Sequence, residues 1–180
     1  QERFINNIKN GYVNYALKIK EIFNLPKEFI NSSEAREVAQ EGFISCIKDG
    51  HINDALKVKK TFNLPEDFIQ KVAQEGFINC VRNGYVDDAL KVKKTFNLSE
   101  DFIQKIVQER FINYIKNGYV DNALEIKETF NLPEDFINSS ETQEAIRERF
   151  ISYIKGERIN DALEIKKAFN LSEDFINSSE

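Results

Sequence analysis

Apolar residues fall in pairs along the stretch 65–98: Phe68 and Ile69, Val72 and Ala73, Phe77 and Ile78, then Cys80 and Val81. This spacing lays a broad apolar stripe on a helix packed between others, wider than a coiled-coil seam. The helix runs from about residue 65 to 83. Asn63 is expected as its N-cap, with Glu66 three residues on as a capping box and Pro65 in the first turn. Gly84 ends it, as the residue best suited to the left-handed conformation past a helix C-terminus. A second, shorter helix follows, with Asp87 expected as N-cap and Val86, Ala89, Val92 and Phe96 at helical spacing. Asn97 closes it and is expected to cap the next long helix. The short Gly-Tyr-Val turn makes the two antiparallel, an αα-hairpin. Ala89 is small where they cross.

This stretch is a repeat. Its Ala89-Leu90 pair recurs at Ala16, Ala55, Ala123 and Ala162, each followed by Leu, at spacings of 39, 34, 34 and 39 residues. A period of this length marks an array of stacked units. Five residues added inside one helix would turn the following face by roughly 140° away from the core, at ~100° per residue. The longer units avoid this by breaking at Asn31-Ser32-Ser33 and Asn138-Ser139-Ser140. Short helical turns are predicted at 26–30 and 133–137, with new helices from about 34 and 141, the second under a capping box of Ser140 and Gln143. The fold expected is all-α: an α-solenoid, or superhelix, of five helix-turn-helix repeats of 34 or 39 residues. The units are 1–25, 26–64, 65–98, 99–132 and 133–171 in one array, with 172–180 starting a further one. Gln1 aligns with Gln40 and Glu180 with Glu34, both inside a unit, and the chain has no Met. It is therefore expected to be a piece of a longer array.

Around the hairpin turn the unit resembles tetratricopeptide and pentatricopeptide repeats. Gly118 to Leu124 has their Gly-x4-Ala-Leu spacing, as do Gly11 with Ala16, Gly50 with Ala55 and Gly84 with Ala89. The fifth unit departs, with Gly156 one place early and Glu157 and Arg158 in the turn. A tetratricopeptide unit would carry a small residue where this chain has Phe43, Phe77, Phe111 and Phe150. It would also carry an aromatic at Lys59, Lys93, Lys127 and Lys166. The pentatricopeptide pattern accepts the first set and an apolar residue at Phe62, Phe96 and Phe130. That resemblance implies single-stranded RNA as a ligand, yet its base-stacking places are Glu37, Lys71, Lys105 and Glu144 here. Its base-reading places are the nearly uniform Gln40, Gln74, Gln108 and Arg147. Both families imply a right-handed superhelix with the long helices on the concave side.

Composition narrows the function classes. A hydrophobic fraction of 41% with 15 Phe supplies a continuous core. The net charge of −5 and pI near 5.2 disfavour nucleic acid. No apolar run reaches membrane-spanning length and no signal peptide opens the chain, so no membrane partner is expected. Cys46 and Cys80 share one register in successive units, too far apart for a disulfide, and free thiols point to the cytoplasm. Five Asn-x-Ser triplets, at Asn31, Asn97, Asn138, Asn170 and Asn177, are read as helix-end residues before glycosylation acceptors.

One polar stripe recurs at i, i+4, i+7 on each long helix, three places that share a face. It reads Glu2, Asn6, Lys9; Glu41, Ser45, Lys48; Glu75, Asn79, Arg82; Glu109, Asn113, Lys116; and Glu148, Ser152, Lys155. Stacked, these form a ladder that would hold the backbone of an extended peptide, with the cations taking acidic groups. The plainer reading is a solvated face. A variable place reads Asn7, Cys46, Cys80, Tyr114 and Tyr153. A site that accepts such different residues is expected outside the deep core, as a specificity position. The turn also varies, as Tyr12, His51, Tyr85, Tyr119 and Arg158. Lysines crowd the short helices at Lys57, Lys59, Lys60, Lys91, Lys93 and Lys94, as a phosphate-facing patch or as stems lying over apolar surface.

Nothing gathers as a catalytic centre. The single His51 lies in a turn, no Cys/His cluster has zinc spacing and no Gly-rich loop follows a strand. The chain is expected to be a non-enzymatic scaffold for a protein or peptide partner, without cofactor or metal, its ends open to end-to-end stacking. Single-stranded RNA binding and a structural spacer are the alternatives.

Overall fold

A computed structural model describes residues 1–172. Twelve helices occur among them and no strand. They divide between two compact units, Gln1–Leu98 and Ser99–Glu180. The first holds α1 (Glu2–Lys9), α2 (Val13–Ile22), α3 (Lys27–Ile30), α4 (Ser33–Lys48), α5 (Ile52–Phe62), α6 (Glu66–Asn83) and α7 (Val86–Phe96). The second holds α8 (Glu100–Asn117), α9 (Val120–Thr129), α10 (Glu134–Ile137), α11 (Ser140–Lys155) and α12 (Ile159–Ala168).

In the first unit each long helix packs on the short one that follows it: α1 on α2, α4 on α5 and α6 on α7. Long helices also pack on each other, α1 on α4 and α4 on α6, and the short helices do the same. The second unit repeats the pattern with α8 on α9, α11 on α12, α8 on α11 and α9 on α12. The chain reverses at a left-handed glycine. Gly84 has φ +77°, and the Tyr85 amide donates to the Cys80 carbonyl at 2.9 Å while Gly84 N–H reaches Val81. That is a Schellman turn.

Both breaks form as the sequence predicts. The short turns α3 and α10 pin themselves through buried Ile30 and Ile137. Where five residues are absent, α6 and α8 run unbroken for 18 residues. The caps differ from expectation in four places. Asn63 is not an N-cap: it sits at φ 46° past the end of α5, where the Leu64 amide bonds back to Lys59, and Pro65 precedes α6 with no side-chain cap. Asn97 likewise closes α7 at φ 50° but does not cap α8, which Ser99 precedes. Asp87 lies inside the first turn of α7, behind Tyr85. At the second break Ser139, not Ser140, is the cap and accepts from the Thr142 amide, while Gln143 donates to the Ile137 carbonyl at 2.9 Å. Asn170 is left-handed as well, Asn31 and Asn138 close α3 and α10, and Asn177 lies outside the described residues.

The core is a series of phenylalanine clusters. Phe4 meets Phe29 and Phe62, Phe43 meets Phe68 and Phe96, and Phe111 meets Phe136 and Phe169, all with ring centres 5.8–6.0 Å apart. Edge-on and tilted packing at this distance suits the ring quadrupoles. Each cluster joins one long helix to the pair that follows it. Ala16, Ala55, Ala89, Ala123 and Ala162 are buried beneath.

Long helices of the first unit approach closely at two glycines. A methyl on Gly42 would run into the Ile8 carbonyl, and one on Gly76 into the Ile47 Cγ2 methyl. A backbone carbonyl cannot swing aside, whereas an isoleucine side chain has some freedom. Gly42→Ala is therefore expected to cost about 1–3 kcal/mol, as overpacked cores do, and Gly76→Ala less. Urea unfolding of the two variants checks this; an equal or larger loss for Gly76→Ala would contradict it.

Candidate functional site

The recurring polar stripe stays in water on every long helix. In the first unit Glu2, Glu41 and Glu75, then Lys9, Lys48 and Arg82, are all exposed, with Asn6 and Asn79 exposed and Ser45 half-buried. In the second unit Glu109, Asn113 and Lys116 on α8 and Glu148, Ser152 and Lys155 on α11 are exposed. The helix period explains this, since their neighbours Phe43, Phe77 and Phe111 turn fully inward. Lys9 Nζ lies 3.1 Å from a Glu41 carboxylate oxygen, a rung from α1 to α4. The middle row is partly occupied within its own helix. Ser45 Oγ donates to Asp49 at 3.2 Å, and Asn83 Nδ2 donates to Asn79 Oδ1 at 3.0 Å. Asn113 Oδ1 accepts from Asn117 at 3.2 Å and from Arg110 at 3.4 Å.

A groove of about 320 Å³ runs between α4 and α6. Ile44, Ile47 and Val72 supply its apolar lining, and Lys48, Glu75 and Asn79 its polar one. Three ladder residues from two helices thus converge on one concavity. The stripe of the first unit balances three carboxylates against three cations, which is not the field that gathers phosphates.

Cys46, Cys80, Tyr114 and Tyr153 lie elsewhere than expected. All four are buried, Cys46 fully so, and only the equivalent Asn7 is part-exposed. The variation makes sense beside the residue four places earlier, which reads Arg3, Gly42, Gly76, Arg110 and Arg149. Gly goes with Cys where the long helices pack tightly, and Arg goes with Tyr in the second unit. There the Arg110 guanidinium lies 4.1 Å over the Tyr114 ring and Arg149 4.3 Å over Tyr153. Arg149 also donates to the Asn117 carbonyl and Tyr153 to the Gly118 carbonyl, at 3.3 and 3.2 Å, serving acceptors at the end of α8. This paired exchange at i, i+4 is readable in the repeats once both columns are aligned together.

Other candidate groups are dispersed. The pentatricopeptide stacking places Glu37, Lys71, Lys105 and Glu144 are exposed. Lys57 donates to Asn14 and pairs with Asp54, and Lys59 pairs with Glu66, so these lysines are engaged in local polar contacts. Lys59 and Gln70 together hold the Glu66 carboxyl below its usual value. His51 is exposed at the start of α5. Among the described residues no three His, Cys, Asp or Glu side chains gather as metal ligands, and no helix is long and apolar enough to cross a membrane.

No family model matches the chain, and neither a curated protein nor a solved structure does.

The two thiols are unpaired. Burial, with Asp54 and Asp49 adding to it, pushes Cys46 up to about 11, and burial then Asp88 raise Cys80. A thiol with a raised pKa stays protonated at neutral pH and is a poor nucleophile. Native protein is expected to resist an aromatic disulfide reagent near pH 7.5 and to release two thiols only on denaturation. Immediate reaction of either thiol in the native protein would contradict this burial.

Proposed function

We infer that the chain is an α-solenoid of five helix-turn-helix repeats that serves as a non-enzymatic scaffold for an extended peptide or protein segment. The observation that carries this reading is the convergence of Lys48, Glu75 and Asn79 on the groove between α4 and α6, above Ile44, Ile47 and Val72. An apolar floor with a few placed polar groups is the usual make-up of a recognition groove. The Asn79 amide offers both a donor and an acceptor to a peptide main chain. Lys48 offers a cation to a carboxylate, and the floor takes an apolar side chain. Repetition of the stripe extends the same chemistry along further long helices, so a partner would be read over several units. Tight burial of Cys46 and Cys80 leaves specificity to the groove and its rim. Two unpaired cysteines suit a reducing compartment, and the reading places the protein in the cytoplasm.

The test is selection of binders from a displayed random-peptide library, followed by fluorescence anisotropy with the best peptide. Lys48→Ala and Asn79→Ala should each weaken binding by about 5–10-fold, the loss of roughly one net polar contact. The exposed substitution Glu164→Ala on α12, off the stripe, should leave that peptide's affinity unchanged. Failure of any peptide to select, or retention of random-sequence RNA in a gel shift with affinity falling steeply in salt, would overturn the reading.

A further inference from the structure

Two neighbouring steps of the first unit differ in how closely their long helices approach. A methyl on Gly42 would meet the Ile8 carbonyl, so α1 and α4 approach backbone to backbone. A methyl on Gly76 would meet the Ile47 side chain instead, which props α6 away from α4. The polar stripe registers the difference. Lys9 and Glu41 close a rung of 3.1 Å between α1 and α4. Lys48 and Glu75 hold the same places on α4 and α6, and both are exposed. Neither makes an ion pair or a side-chain hydrogen bond with any described residue. The groove of about 320 Å³ opens where this rung stays open.

The closed rung fixes the geometry of the open one. Gly76 sits against Ile47 as Gly42 sits against Ile8, so Lys48 and Glu75 face each other at one level, on opposite walls. Successive long helices point the same way, because each packs on an antiparallel short one. Ile44 and Val72 therefore lie about one turn before the charges and Asn79 about one turn after, a step of roughly 5.4 Å. Adjacent side chains of an extended peptide point to opposite sides, and two residues advance it by roughly 6.6–6.8 Å. A strand standing in the groove thus sends neighbouring residues to α4 and α6, and the residue two places away to the aliphatic level. Asn79 Oδ1 accepts from Asn83, which leaves Nδ2 to donate to a main-chain carbonyl.

We propose that this groove selects a segment with an acidic and a basic residue side by side and an aliphatic residue two places from one of them. The acid goes to Lys48, the base to Glu75, and the aliphatic side chain to Ile44 and Val72. The proposal rests on the peptide-binding reading and fixes the side chains which that reading leaves open. Charge complementarity makes the choice. Two acids side by side would set one against Glu75, and two bases would set one against Lys48; like charges brought together reject wrong partners. A neutral segment would cover Lys48 and Glu75 without pairing them. The step between α1 and α4 offers no such pair, because Lys9 and Glu41 already satisfy each other. Lys48 and Glu75 are thus the specificity-determining residues of this groove.

Two selections from one displayed random-peptide library test it, against the wild type and against the exchanged protein, Lys48→Glu with Glu75→Lys. Both places are exposed, and circular dichroism confirms the fold. Wild-type binders should carry the adjacent charged pair in one order relative to their aliphatic residue, and the exchanged protein should select the opposite order. In fluorescence anisotropy the best wild-type peptide should bind Lys48→Glu about 10-fold more weakly. A copy of that peptide with its two charged residues interchanged should prefer the exchanged protein. Wild-type binders without the pair, or the same order or no binders from the exchanged protein, would overturn the proposal. If the affinity of such wild-type binders still falls on Asn79→Ala, the peptide-binding reading stands without it. A wild type that selects no peptide would overturn both.

Discussion

The contact on which the fold depends is the phenylalanine of a long helix held by two phenylalanines of the pair that follows. It occurs as Phe4 with Phe29 and Phe62, Phe43 with Phe68 and Phe96, and Phe111 with Phe136 and Phe169. One helix pair cannot bury its own apolar stripe, so its long helix finds cover only from its neighbour. The 34-residue period keeps the three rings in register, and the five-residue additions would destroy that register if the helix continued through them. The breaks at Asn31 and Asn138 are thus a consequence of the ring contact. They let Phe29 and Phe136 keep their places while α4 and α11 restart with their own caps at Ser32 and Ser139.

Much of this was legible in the chain. The period, the hairpin turns at glycine, the two breaks and the inward phenylalanines all follow from local spacing. Asn63 was misread because asparagine favours both a helix N-cap and the left-handed place after a helix. What decides is the Leu-Pro that follows: Leu64 turns into the core, and Pro65, at φ −58° and ψ 140°, holds the chain extended until Glu66. Cys46, Cys80, Tyr114 and Tyr153 were misplaced for a different reason. A column read alone looks tolerant, but a buried side chain can change freely when another four residues away changes with it. Gly42 with Cys46 and Arg149 with Tyr153 are two solutions to the same contact between long helices, one tight and one filled by a stacked guanidinium.

The chemistry of the surface follows from what the core leaves out. The Glu, Asn or Ser, and Lys or Arg stripe lies on the face that no neighbouring helix needs, so its residues are free to be uniform. The groove between α4 and α6 draws Lys48, Glu75 and Asn79 together over aliphatic side chains.

The most direct measure of the central claim compares two alanines in one register. Phe62 is buried against Phe4 and Phe23 is open to solvent, although both close a short helix at the same repeat position. In urea unfolding of dilute protein, Phe62→Ala should lose about 3–5 kcal/mol, as a buried phenylalanine does, and Phe23→Ala should leave stability within about 0.5 kcal/mol of the parent. Comparable losses from the two substitutions would contradict the account, because stability would then come from the helices one by one and not from the contact between pairs.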